Sequence, residues 1–140
     1  MRIVRATTIN ETLQILPIEQ EIRKKEKEII PLKDALISIA ASIEDPNFGF
    51  WIAYDDNNEI IGFMILTIIQ DITAKTLQIH RVWYKQTEKE VLNQFLKTGR
   101  KWAKDNNIKR VVMLANRRIK AIQRKWKFKP IAVIMERRIY

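Results

Sequence analysis

The sequence has no cysteine, only three glycines and four prolines, and no long uninterrupted apolar run. The absence of cysteine excludes disulfides, thiol nucleophiles and thiolate metal sites. The longest apolar run, residues 60–69, is broken by Thr67 and is too short to span a membrane. The first residues lack the apolar segment of a signal peptide. We therefore expect a single cytoplasmic domain over residues 1–140, with no metal site and no membrane partner.

Positive charge is abundant and unevenly distributed. Hydrophobic residues make up 46% of the chain, enough for a packed core, and the formal net charge is +10. From Lys97 onward there are 15 Lys and Arg against two acids, Asp105 and Glu136, whereas the preceding residues are slightly acidic. Such a field attracts polyanions, which predicts nucleic acid, an acidic protein surface or a phosphorylated cofactor as partner. The alternative is a solvated basic face with no partner.

The hydrophobic pattern predicts an α/β domain. A short opening strand over 1–7 precedes helical segments, the first of them capped by Asn10, and a stretch over 31–43 with apolar residues at helical spacing. Residue types and turn signals then predict strands over 48–54, 60–69 and 76–84, a helix over 88–105, a strand over 108–114, a short helix capped by Asn116 and a last strand over 131–139. The step 76–114 is a strand–helix–strand unit, which predicts a parallel pair with a right-handed crossover.

Three segments of the chain, in this order, resemble the GNAT N-acetyltransferase superfamily. Residues 50–63 resemble its central hairpin, with Gly62 and an aromatic after an apolar pair. Asn116 followed by Phe128 resembles its late motif, and residues 131–136 resemble its terminal strand. The resemblance covers nearly the whole chain. It implies a GNAT-like mixed central sheet of about six or seven strands with helices on both faces, and a divergent N-acyltransferase that uses acetyl-CoA.

The family grips the pyrophosphate of acetyl-CoA with a glycine-containing turn at a helix N-terminus, where backbone N–H groups and the helix dipole favour anions. In this sequence the basic or amide position of that turn is Thr87, and the two small-residue positions are Glu90 and Leu92. These departures predict weakened binding of acetyl-CoA. Glu88 and Glu90 also have a purely structural interpretation, because acids in the first turn stabilise a helix.

The resemblance further implies main-chain contacts from Val82 and Tyr84 to the pantetheine arm, with Asn116 beside the same groove. The family's alanine, tyrosine and glycine of the late motif correspond to Ile119, Gln123 and Lys127. Because glutamine cannot act as the general acid, Tyr84 is the alternative candidate for that role. The strand where many members carry a glutamate base has Thr76 and Gln78 instead, so the candidate base is His80, the only histidine, which lies on this strand. A lone histidine on a strand is more often a structural residue.

The pattern of residues 116–127 predicts an amphipathic helix with a cationic outer face. A GNAT-like module without catalysis that binds nucleic acid or an acidic partner is therefore the second function the sequence allows. No helix-turn-helix, zinc-finger or RNA-binding signature is present, so sequence-specific reading is not expected. The candidate polyanion-binding residues are Arg117, Arg118, Lys120, Arg124, Lys125 and Lys127.

Overall fold

The structure is a computed structural model that describes residues 1–25, 32–70, 72, 74–113, 124 and 127. The order of its strands and helices matches the prediction except that three helices, rather than two, separate the first two strands, and the predicted last helix and last strand lie almost entirely outside the described residues. The described strands and helices are β1 (Arg2–Arg5), α1 (Ile9–Leu13), α2 (Leu16–Lys25), α3 (Leu32–Ser42), β2 (Phe48–Tyr54), β3 (Ile60–Gln70), β4 (Lys75–Tyr84), α4 (Lys89–Asp105) and β5 (Val111–Met113).

The five strands form one mixed sheet in the order β1-β2-β3-β4-β5. The first three pairings are antiparallel, and β4 pairs with β5 in parallel across the α4 crossover. The predicted strand–helix–strand unit is therefore confirmed. Among the described residues the sheet has five strands rather than six or seven, since the predicted last strand, 131–139, lies outside them.

The sheet has a separate hydrophobic cluster on each face. On one face, Val91 and Phe95 of α4 are fully buried against Leu66 and Leu77 of the sheet. On the other, Ile15 packs with Phe50 and Phe63, and α2 and α3 add partly buried side chains. Both faces of β3 are covered, which explains why residues 60–69 are apolar almost without alternation. Helices on both faces match the predicted architecture.

The start of α1 differs from the prediction that Asn10 caps it. Thr8 is the N-cap, and its hydroxyl accepts a hydrogen bond from the Glu11 backbone N–H at 3.3 Å. The Glu11 carboxylate in turn accepts from the Thr8 hydroxyl at 3.0 Å, and this bond contributes most to lowering the pKa of Glu11. Thr8 and Glu11 thus form a capping box, whose three-residue spacing matches the usual sequence signature. Pro17 does not break a helix, because it lies in the first turn of α2.

The C-terminal end of α4 packs against β1 and β2, at the edge of the sheet opposite β5. The Trp102 ring meets the Trp51 ring edge-on at 5.1 Å, and the Arg5 guanidinium lies 5.3 Å from the Trp102 ring centre. Asn106 caps the helix, and Asn107 follows with a left-handed φ of 58°, which confirms the predicted stop. The strand after it begins at Val111 rather than at Ile108, because the buried Ile108 still bonds to the Ala103 carbonyl oxygen. Among the described residues, none of the helices is both long and apolar enough to cross a membrane.

Replacing Gly62 with alanine should destabilise the protein. A Cβ at this position would lie 2.8 Å from Val91 Cγ1 and 2.9 Å from the Trp83 carbonyl oxygen, so α4 would have to move away from the sheet. Overpacking of this kind costs about 2–3 kcal/mol. Urea unfolding measures the change.

The matched control is Gly99→Ala in α4, where the nearest atom to an added Cβ is Leu66 Cδ1 at an acceptable 3.4 Å. Here alanine should be neutral or stabilise by up to about 1 kcal/mol, since glycine is a poor helix former. Equal destabilisation by both substitutions would contradict the close packing of α4 on Gly62.

Candidate functional site

A β-bulge in β4 organises the candidate site. Arg81 pairs with Ile65 and Ile79 pairs with Leu66, which leaves His80 as an extra residue in β4. The Ile79 and Val82 side chains both pack on the α4 face of the sheet. His80 and Arg81, between them, both point to the face covered by α1–α3, since they bond to residues on that side. Bulges bend a strand and re-aim its side chains, and they are common beside active sites.

Beyond the bulge, some main-chain N–H and C=O groups of β4 lie on the side of the strand that faces away from β3. The Lys85 N–H donates to the Ile61 carbonyl oxygen at 2.9 Å. Because hydrogen-bonded and non-hydrogen-bonded pairs alternate in an antiparallel ladder, the N–H and C=O of Val82 and Tyr84 point away from β3. The described pairing with β5 ends at Ile79 and Met113. The two residues that the resemblance assigned to pantetheine therefore present their backbones at the edge where the described part of β5 stops.

The imidazole of His80 is held by one hydroxyl. Thr67 Oγ1 lies 2.6 Å from His80 Nε2, and Thr67 faces the same side of the sheet as its cross-strand partner Phe48. Partial desolvation lowers the pKa of His80, so the ring is neutral at pH 7. If Nε2 carries the proton and donates it to Thr67, Nδ1 keeps a lone pair that can accept a proton from a ligand.

Next to His80, Arg81 joins a buried charge cluster that the sequence did not reveal. Its Nε donates to Glu19 Oε1 at 2.8 Å and its Nη2 donates to Oε2 at 3.2 Å. Arg23 Nε also donates to Glu19 Oε2 at 3.2 Å. Glu19 is only 7% exposed, and two guanidinium groups stabilise its buried carboxylate. The cluster fixes α2 to the bulge of β4.

The turn before α4 is the segment that the resemblance aligns with the family's pyrophosphate loop. Glu88 is the N-cap of α4 and makes no side-chain cap bond, whereas Glu90 is engaged further along the helix. The Glu90 carboxylate accepts hydrogen bonds from Asn93 at 3.2 Å and Gln94 at 3.3 Å. These bonds draw its charge towards the next turn of the helix. Lys85, at the start of the turn, is 3.7 Å from Glu59.

The other predicted site residues are placed as follows. The Tyr84 side chain packs with the core on the α4 face, so it lies on the opposite face of the sheet from His80. Arg124 has helical backbone and Lys127 has a left-handed φ of 55°; both are exposed. That φ favours glycine, the residue that the resemblance expects at Lys127. Outside the described residues lie Asn116, Arg117, Arg118, Ile119, Lys120, Gln123 and Lys125.

Sequence reasoning did not identify Glu19, Arg23, Arg81 or Thr67 as parts of a site. One signal was available, because the α4-facing apolar residues of β4 occupy odd positions up to Ile79 and even positions from Val82. Such a change of parity within one strand is what an inserted residue produces. Among the described residues, no group of three or more His, Asp or Glu side chains could hold a metal ion.

Neither a protein-family model nor a curated protein sequence matches this chain. Solved structures do match it, and acetyltransferases are prominent among them. An aminoglycoside 6'-N-acetyltransferase from Acinetobacter baumannii has a TM-score of 0.77 at 12% identity, over 99% of both chains. A predicted acetyltransferase from Clostridium acetobutylicum, solved with acetyl-CoA, has a TM-score of 0.75 at 18% identity, over 98% of this chain and 95% of that one.

An aminoglycoside acetyltransferase from an uncultured soil metagenomic sample, in complex with sisomicin, has a TM-score of 0.67 at 14% identity, over 99% of this chain and 93% of that one. At such low identities these likenesses show the fold. The chain has the fold of the GNAT acetyltransferases, as its sequence motifs predicted.

Replacing Glu19 with glutamine should destabilise the protein by about 3 kcal/mol, because it leaves two guanidinium groups beside a neutral amide. This value is at the lower end of what the loss of one partner of a buried ion pair costs in free energy of unfolding, since the Arg81 side chain is 31% exposed. Urea unfolding at pH 7 measures the change.

Glu21→Gln is the control, because its pair with Lys24 lies on the surface, with side chains 66% and 70% exposed. This change should cost less than about 1 kcal/mol. If the two substitutions cost the same, the Glu19 cluster does not fasten α2 to the sheet.

Proposed function

We propose that this protein is an acyltransferase that binds acetyl-CoA along the outer edge of β4 and transfers its acetyl group to an amine. The observation that carries the proposal is the direction of the Val82 and Tyr84 backbones beyond the bulge. Pantetheine contains amide groups, which can pair with such an edge in the manner of an added strand. These contacts use main chain, so they tolerate the side-chain substitutions in the turn before α4.

The phosphate end of the cofactor would lie at the start of α4. The positive end of the helix dipole favours anions there, and α4 is 17 residues long. Glu90 opposes an anion less than its position in the sequence predicts, because its carboxylate is bonded to Asn93 and Gln94. Without the family's glycines, the close backbone approach is lost. We therefore expect weaker binding than in glycine-containing members, with most of the affinity from the pantetheine contacts.

His80 is the proposed general base. Its lowered pKa keeps the ring neutral at pH 7, and in the tautomer that donates its Nε2–H to Thr67, Nδ1 is the acceptor. Nδ1 takes a proton from the acceptor ammonium, and the free amine attacks the thioester carbonyl carbon. The C–N bond would form, the nitrogen would lose its extra proton to solvent, the C–S bond would break, and coenzyme A would leave as a thiolate. Tyr84, on the other face of the same edge, is the candidate proton donor to that thiolate.

Titration with acetyl-CoA, followed by backbone amide NMR, tests the cofactor site. The amide signals of Val82 and Tyr84 should shift most in β4, because their N–H groups face the ligand edge. Arg81 and Trp83 are internal controls, because their N–H groups face β3. Equal shifts along the strand, or none at millimolar acetyl-CoA, would rule out the proposed binding mode.

The role of His80 is tested by the pH dependence of acetyl transfer. The assay follows coenzyme A release with a panel of primary amines that includes an aminoglycoside, the class named for two of the similar structures. Since the neutral ring is the active form and its pKa is lowered, kcat should rise with pH along a limb that lies below about pH 6.5. His80→Gln should lower kcat by about 100-fold and abolish that limb.

Thr67→Val is the matched control, since it removes the hydroxyl but leaves the imidazole in place. It should lower kcat while keeping a limb, because His80 can still titrate. A pH profile in His80→Gln identical to that of the unmodified protein would exclude His80 as the base. Acetyl-CoA binding should survive both substitutions, which separates failure of catalysis from failure of cofactor binding.

A further inference from the structure

The outer face of α4 carries a row of cations. Lys97, Arg100, Lys101 and Lys104 are all exposed, and their spacing places them within one narrow stripe of the helix, called the α4 stripe below. At a rise of 1.5 Å per residue, the stripe is about 10 Å long. It lies in the second half of α4, beyond the turn where the phosphates of acetyl-CoA are proposed to bind.

The α4 stripe is costly for the helix itself. Its members repel one another at spacings of three and four residues, where opposite charges would have been stabilising. Within the described part of the chain, none of the four forms an ion pair. Lys104 interacts favourably with the C-terminal dipole, but Lys97 and Arg100 are too far from the helix end to benefit. Helix stability therefore does not account for the whole stripe.

The surroundings of the α4 stripe limit the kind of partner. The apolar side of α4 is buried in the core through Val91, Phe95 and Ala103, so the helix cannot insert that side into a lipid surface. Gln94 and Thr98 beside the stripe are polar and offer no apolar anchor of the kind that protein interfaces use. A regularly charged polyanion whose contacts are electrostatic fits such a surface best.

We propose that the α4 stripe binds the phosphate backbone of nucleic acid without reading its sequence. Lys and Arg at successive levels of the helix would contact neighbouring phosphates, and the net charge of +10 would promote association. This surface is separate from the segment 116–127 for which the sequence predicted polyanion binding. It is also independent of the proposed catalysis, because none of its residues belongs to the acetyl-CoA edge.

Fluorescence anisotropy with a labelled 20-base-pair DNA and a single-stranded RNA, between 50 and 200 mM salt, tests the proposal. If four phosphates of the duplex are neutralised, its affinity should fall about 150-fold over this range. The double reversal K97E/K101E should weaken binding at least about tenfold at 50 mM salt and reduce the log–log salt slope by about two. K97Q/K101Q should give a smaller loss in the same direction.

The control is K33E/K75E, which changes the net charge equally at exposed positions on α3 and β4. It should retain affinity within about threefold, and circular dichroism verifies that every variant is folded. Equal losses in K97E/K101E and K33E/K75E would overturn the proposal, since net charge alone would then be responsible. Binding to poly-glutamate or to phosphatidylserine vesicles, with no binding to nucleic acid, would also overturn the proposal. Acetyl-CoA shifts at Val82 and Tyr84 should be unchanged in K97E/K101E.

Discussion

Between Ile79 and Val82, β4 contains one residue more than β3 can pair with, and the ladder absorbs it at His80. The extra residue has two consequences. It places the imidazole and the neighbouring guanidinium on the same face of the sheet, and it returns Val82 to the α4 face. If the same residues alternated regularly after Ile79, without a bulge, Arg81 would point into the hydrophobic cluster under α4, where a charge without a partner is very costly. The bulge, the charge cluster and the outward direction of the Val82 and Tyr84 main chain thus depend on one another.

Glu19 shows how the bulge is held. A carboxylate this deeply buried is stable only with charged partners, and it has two, one from the sheet and one from its own helix. The bidentate geometry with Arg81 restrains both position and orientation. Because His80 is adjacent to Arg81 in the chain, fixing the guanidinium also limits movement of the imidazole. Thr67 adds the second restraint from β3. The candidate base is therefore positioned by two different strands and, indirectly, by α2.

The charge and polarity of α4 change along its length and around its circumference. Its first turn contains Glu90, whose charge suits the positive end of the dipole, and its inner side supplies Val91 and Phe95 to the core. Its outer side carries the α4 stripe. The acids at the start of α4 stabilise the helix through its dipole, whereas helix stability does not explain the outer cations. In the proposed function, α4 would pack on the core with its inner side, face the phosphates of acetyl-CoA with its first turn and bind a polyanion with the α4 stripe. These three surfaces do not overlap.

The sequence by itself determined the fold class, the order of elements and the bounds of β2, β3 and α4 nearly to the residue. Strong local signals explain this success: an aromatic and β-branched run, a polar turn at 55–58, and an amphipathic period that ends at Asn106 and Asn107. Val82 and Tyr84 followed from the resemblance, and His80 from being the only histidine in the sequence.

Only the tertiary structure decided which way those residues point. The change of parity between Ile79 and Val82 indicates an extra residue in the strand, but which residue stays unpaired depends on the pairing of β3 with β4. The cluster of Glu19 with Arg81 joins residues 62 positions apart in the chain, so no local pattern encodes it. The capping box of Thr8 and Glu11 is different, because its three-residue spacing is a local signal that the sequence already contains. Local physics fixes the elements, and long-range pairing fixes the site.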